Sequence, residues 1–378
     1  MPGPPARMQF AITPLATVLT TALTTTLFIL AGMVIIASTS WAGSPGGPTL
    51  AAVRQAGMLR CGVSIGHKGF SSSDASGRWS GFDVDYCRAV AAATLGKADL
   101  VTFVPATVLN GLQALSQGEV DILSRTVTIT LKRVVEFGLH PVGVNFFDGQ
   151  GFLVRRDQGL RTLRQLSGRS ICVQSGTTAE DNLRETFLAR RIAYTPVVFV
   201  DFQEMIRTLV DGGCDAVTAD SSGLASIRVS ALPHPEDYII LRQRISKEPL
   251  GPQVRKGDDD WLEIARWTLM AMIEAEELGI SRASVDAMRS SDNPRAMRLL
   301  GLSPSPPPPG SPPPGTKPPS LGRALGLDDE WAYRIVSQVG NYGDIFEANL
   351  GAASPLKLDR GLNELWTRGG LLFALPLR

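Results

Sequence analysis

Histidine is nearly absent from this chain. Three occur in 378 residues, His67, His140 and His234, and they are scattered. No HExxH and no CxxC is present. The ligand spacings of common zinc sites are therefore missing, and no metal or other cofactor is expected. Net charge is also scarce: 37 Lys and Arg against 36 Asp and Glu leave a formal +1. No global basic field draws the chain to a polyanion, so nucleic acid is not expected as a partner. Cysteine is limited to Cys61, Cys87, Cys172 and Cys214. What remains is an ordinary globular composition, 44% hydrophobic and 19% charged, in a chain long enough for two domains with real cores.

One long hydrophobic run departs from that blandness. From Leu15 to Ala37 no residue is charged, and Arg7 is the only basic side chain before it. Ser40-Trp41-Ala42 then supplies a small-x-small site, so residues 1–42 are expected to be a secretory signal peptide cleaved near Ala42. The run is also long enough to span a bilayer, and an uncleaved anchor is the competing reading. No Cys lies near residue 42, which argues against a lipid anchor. Export would place the four cysteines in an oxidising compartment. Two disulfides with three possible pairings are then expected, with four buried thiols as the alternative.

Along the rest of the chain, short apolar strands alternate with helical segments. Thr49 caps a short helix through Arg54. Strands are expected at Leu59 to Val63, Leu100 to Val104 and Val120 to Leu123. Helices are expected from Tyr86 to Leu95 and over 108–117, where Gly118 stops the second. Gly81 to Val84 reads as a strand end. The pattern restarts near residue 160: Ser170 to Gln174, a helix opened by Gly176-Thr177-Thr178, Thr195 to Val200, a helix from Phe202 to Leu209, and Asp215 to Thr218. This alternation predicts parallel α/β sheets in two units. Trp261 to Leu278 is an amphipathic helix. The Pro-rich stretch 303–320 fits neither a helix nor an inner strand and reads as a solvated polyproline II insertion.

Four local patterns carry chemistry. Gly81-Phe82-Asp83-Val84-Asp85 precedes Cys87-Arg88-Ala89. Thr126-Val127-Thr128-Ile129-Thr130-Leu131-Lys132-Arg133 sets three threonine hydroxyls ahead of an arginine, whose guanidinium fork suits a carboxylate. Gly176-Thr177-Thr178 opens a helix whose free N–H groups also suit an anion. Asp215 to Asp220 ends a strand on a carboxylate. In this order and spacing the patterns resemble the family 3 solute-binding proteins of bacterial ABC importers. Within that family the chain is most similar to the general L-amino-acid-binding proteins. Val339-Gly340-Asn341-Tyr342-Gly343-Asp344 and the stretch from Ser354 to Asn363 extend the resemblance through the tail.

The resemblance implies a periplasmic binding protein type II fold: two α/β lobes joined by a two-segment hinge. Lobe one would be discontinuous, 47–148 and 248–378, with lobe two at 149–247. Arg133 would grip a ligand α-carboxylate, with hydroxyls from Thr126, Thr128, Thr177 and Thr178, and Asp220 would take the α-ammonium. Ser64, His67, Phe70 and Asp83 fall where relatives contact or approach the ligand. Arg125 is a candidate for an acidic ligand side chain, with a structural ion pair as the alternative. Ser64 stands where binders of cationic amino acids keep Asp, and Gly111 where many relatives place Arg, so broad specificity is implied. A disulfide between lobes would lock the hinge, which implies Cys61–Cys87 and Cys172–Cys214. The implied function is capture of free L-amino acids in the periplasm by a monomer that passes them to a membrane-embedded ABC permease, without catalysis. A periplasmic enzyme on the same fold, of the cyclohexadienyl dehydratase type, and an amino-acid sensor module are the alternatives.

Overall fold

Glycines and caps punctuate the chain closely enough to explain most element ends. The computed structural model describes Gly3, residues 45–302 and residues 320–377. The expected signal segment, apart from Gly3, and residues 303–319 of the Pro-rich stretch lie outside the described residues. Helix α1 is Gly47–Ala56, with Pro48 in its first turn and Gly57 ending it at φ 67°. Thr49 is inside that helix and does not cap it. Its N–H donates to Asp258 Oδ2 at 2.8 Å. Strand β1, Leu59–Val63, follows.

Helix α2 is Phe82–Leu95, so Gly81 to Val84 is a helix start and not a strand end. Gly81 sets that start. Its φ is 135°, and a β-carbon there would lie 2.1 Å from the Phe70 carbonyl oxygen. Strand β2, Val101–Pro105, leads to α3, Val108–Gln117. The Thr107 side chain accepts from Asn110 N–H to cap α3, and Gly118 closes it. Next come β3, Ile122–Leu123, the short α4, Leu131–Glu136, and β4, Leu139–Pro141.

Strand β5, Phe146–Asp148, is the first crossing, and β6, Gln150–Arg155, starts the second lobe. That lobe continues with β7, Ser170–Gln174, α5, Thr178–Ala189, and β8, Thr195–Phe199. Then follow α6, Phe202–Val210, β9, Ala216–Asp220, α7, Ser221–Ser230, and β10, Tyr238–Ile240. Strand β11, Glu248–Leu250, crosses back. Strand β12, Gln253–Arg255, and helix α8, Asp259–Glu277, return to the first lobe.

Two five-stranded sheets result, in the orders β2-β1-β3-β12-β4 and β8-β7-β9-β6-β10. In each, three neighbouring strands run parallel. The fourth strand, β12 or β6, is antiparallel to both neighbours. The sheets are therefore mixed and not parallel throughout. The reason is topological. Each crossing strand delivers the chain into the other sheet from the opposite end, so the strand that follows it runs backwards. The crossings β5 and β11 pair antiparallel with each other.

The second sheet is covered on both faces. Along β6, Phe152 and Val154 enter one buried cluster, whereas Leu153 enters another. That is the period-two alternation of a strand between two helical layers. Ala179, Leu183 and Phe187 of α5 form the apolar stripe of one layer, and Met205, Ile206 and Leu209 of α6 belong to the other. The first lobe has a larger core, which takes in Trp261 and Met272 of α8 and reaches Trp331 and Phe346 in the tail.

The tail also holds the first crossing. Asn363 Oδ1 accepts from Phe147 N–H at 2.6 Å, and its Nδ2 donates to Phe147 O at 3.1 Å. Cys61 is bonded to Cys87, tying β1 to α2, and Cys172 is bonded to Cys214, tying β7 to the turn before β9.

Candidate site between the two sheets

An arginine and an aspartate that form no ion pair among the described residues, Arg133 and Asp220, meet at the carboxyl ends of the parallel strands. A cavity of about 200 Å³ is lined by residues that follow β1, β2 and β3 in one lobe and β7, β8 and β9 in the other. This is where open α/β sheets leave a crevice. Ser64 and His67 come from the loop after β1, and Arg125, Thr126, Thr128 and Arg133 from the segment after β3. Thr177 and Thr178 open α5, and Asp220 ends β9.

Arg133 lies in the short helix α4, capped by Thr130, whose side chain accepts from Arg133 N–H. Its Nη1 donates to Thr128 O at 2.8 Å. No carboxylate forms an ion pair with it among the described residues. Burial pulls its pKa down, while Asp220 and Glu248 hold it up. Asp220 precedes α7, yet its side chain makes no cap hydrogen bond. Burial, then the like charges of Asp148 and Glu248, push its carboxyl well above the ordinary range, and Arg133 opposes them. A basic and an acidic side chain from different lobes therefore face one cavity, neither held in an ion pair.

Hydroxyls line the same space. Thr128 Oγ1 and Thr178 Oγ1 are 3.4 Å apart across the cleft. Thr177 Oγ1 donates to Gln174 O at 2.7 Å, leaving its oxygen to accept and not to donate. Thr126 has φ 54°, an uncommon conformation for a β-branched residue and of the strained kind that clusters at functional sites.

The far end of the cavity is built around Arg125. It is 9% exposed, and its Nε has no hydrogen-bond partner. Burial first, and Arg133 second, lower its pKa to about 10. Ser64 Oγ donates to the Arg125 carbonyl at 3.2 Å. Gly111 makes room for the stem: a β-carbon at 111 would lie 3.2 Å from Arg125 Cδ. His67 is half-buried beside it, with its Nε2 shielded from solvent and unpartnered, and desolvation with the nearby Arg125 lowers its pKa to about 4. The ring is thus neutral at pH 7.

Two expected site residues fall outside the cavity lining. Phe70 is core: it lies 4.9 Å from the His67 ring and contacts Phe82 and Phe146 edge-on. It supports His67 from behind. Asp83 is buried in the first turn of α2, where Oδ1 accepts from Ser124 Oγ at 3.2 Å. Burial raises its pKa to about 7. Asp85 lies in the first turn of α2 and accepts from Arg88 and Asn349.

The sequence reading missed Asp148, Asn182 and Glu248. Glu248 is 2% exposed, and its carboxylate accepts from Thr178 Oγ1 at 3.1 Å and Asn182 Nδ2 at 2.7 Å. The only signal was its place at residue 248, the expected start of the second lobe-one segment, because an isolated acid is read by default as surface.

Comparison with known proteins agrees with this architecture. A general L-amino-acid-binding periplasmic protein, AapJ of Rhizobium johnstonii, is 45% identical over 87% of this chain and 93% of its own length. The glutamate/glutamine/aspartate/asparagine-binding protein BztA of Rhodobacter capsulatus is 44% identical over 89% of this chain and 95% of its own. A solved ABC transporter periplasmic binding protein from Brucella ovis, with glutathione bound, is 45% identical. It superposes with a TM-score of 0.82 over 88% of this chain and 100% of that one. The match to the bacterial extracellular solute-binding proteins, family 3, spans residues 59–281, and the chain belongs to that family.

Proposed function

We propose that this protein is the extracytoplasmic substrate-binding subunit of an ABC amino-acid importer, taking free L-amino acids with broad specificity. One observation carries the reading: Arg133 and Asp220, from different lobes, face one cavity and neither forms an ion pair with a protein group among the described residues. An amino-acid head is a zwitterion of the matching polarity. The Arg133 fork takes the α-carboxylate, with Thr126, Thr128, Thr177 and Thr178 around it, and Asp220 takes the α-ammonium. Neither lobe completes the seat alone, so ligand favours the closed arrangement of the lobes.

Ser64, His67 and Arg125 receive the ligand side chain. A buried guanidinium and a neutral imidazole accommodate carboxylates and amides, in keeping with the ligands named for BztA. Glutathione presents a free amino-acid head on its γ-glutamyl end, so a seat for that head also suits the Brucella ovis protein. The residues account for binding without a catalytic step. In this reading the signal ends near Ala42, the mature monomer works in the periplasm and docks on a membrane-embedded permease, and the lobes comprise 47–148 with 248–378, and 149–247.

Thermal denaturation of refolded, ligand-stripped protein against the twenty L-amino acids tests the proposal. Several of them raise the melting temperature by mass action. A panel in which none does so contradicts it.

A further inference from the structure

We propose that Asp148 and Glu248 are positioning residues for the ammonium end of the ligand. Facing each other on the two crossing strands, they anchor α7 and α5 and surround Asp220 with negative charge, so that the closed cleft is stable only around a cation. This rests on the amino-acid reading above and specifies how its ammonium seat works.

The two acids are register partners in the β5–β11 pair. Asp148 accepts from Gly149 N–H at 2.7 Å and from Ser222 N–H at 3.0 Å, the latter in the first turn of α7. Glu248 accepts from Thr178 and Asn182 in the first turns of α5, and from Ser246 Oγ at 2.5 Å. Each crossing strand thus holds one helix of the second lobe at the end that borders the cavity. Asp220 immediately precedes α7, and Thr177 immediately precedes α5.

Three carboxylates converge here. The charged groups that face them are Arg133, opposite Asp220 and Glu248, and Arg244, opposite Asp148. Arg125 opposes Arg133, with Asp83 behind it, and His67 near Gly223 is neutral. A ligand carboxylate on Arg133 consumes the main offset to the acids. The ammonium must then supply the missing positive charge. In an empty closed cleft a proton takes that place, since burial raises both Asp220 and Asp148, and the like charges of Asp148 and Glu248 add to the effect at Asp220. Ligand binding therefore releases a proton, and affinity falls as pH drops through the titration of the unliganded cluster.

The test is calorimetric titration with L-glutamine, or with whichever neutral amino acid shifts melting most, as a function of pH. Wild type, Glu248→Gln and Asp148→Asn are compared, with melting temperatures to verify folding. Removing one like charge moves the midpoint of the affinity loss about one pH unit lower. Wild-type binding enthalpy near that midpoint also varies with the ionisation enthalpy of the buffer. A merely structural role lowers affinity by one factor at every pH, leaving parallel profiles. Parallel profiles, or a buffer-independent enthalpy, overturn the proposal and leave amino-acid binding standing. Wild type that binds no amino acid removes the functional reading, and this proposal falls with it.

Discussion

Arg133 and Asp220 are half-buried residues whose side chains form no ion pair among the described residues. A charge left without an ion pair in a partly enclosed cleft is costly, which supports the reading of the two as binding groups. Arg133→Ala leaves a bound carboxylate without its cation, and affinity for any accepted amino acid falls by about 2–5 kcal/mol in calorimetry. Both residues were singled out in the sequence through the family resemblance, on the segments Thr-x-Thr-x-Thr-x-x-Arg and a strand ending on Asp, and both line the cavity. Glu248 was not singled out. Its partners Thr178 and Asn182 are 70 and 66 residues away, and nothing local separates a buried acid from a solvated one. Gly111 was visible only as a missing arginine. Its role in leaving space for the Arg125 stem needs the packing of α3 against the segment after β3.

Among the elements, the segments with strong local signals fell where periodicity put them: Ser170–Gln174, Val108–Gln117 and the long helix Asp259–Glu277. The Gly81–Val84 segment did not. Its alternation resembles a strand, but the positive φ of Gly81 and its close approach to Phe70 O force a turn straight into α2. Gly81→Ala sets a β-carbon against that carbonyl, and the variant loses more than about 2 kcal/mol of stability in urea denaturation. Strand direction was equally illegible. Period two reveals which face is buried and says nothing about polarity, so the reversed β6 and β12 emerged only from the double crossing.

The whole molecule is organised so that covalent ties stay within each sheet and its helices, while the passage between sheets rests on two paired strands. Cys61–Cys87 and Cys172–Cys214 leave β5 and β11 free of disulfides, and Asn363 braces β5 from the tail. The pairing became legible once the chain was divided into two lobes, since a bond between lobes opposes closure. Closure on a zwitterion is the central claim. Its most direct measurement is calorimetric titration of refolded wild-type protein with an accepted L-amino acid, its N-acetyl derivative and its methyl ester. The free amino acid binds, and each derivative, lacking one of the two charges, binds at least about 30-fold more weakly, the equivalent of 2 kcal/mol. Equal affinity for either derivative would contradict the pairing of Arg133 with carboxylate or of Asp220 with ammonium.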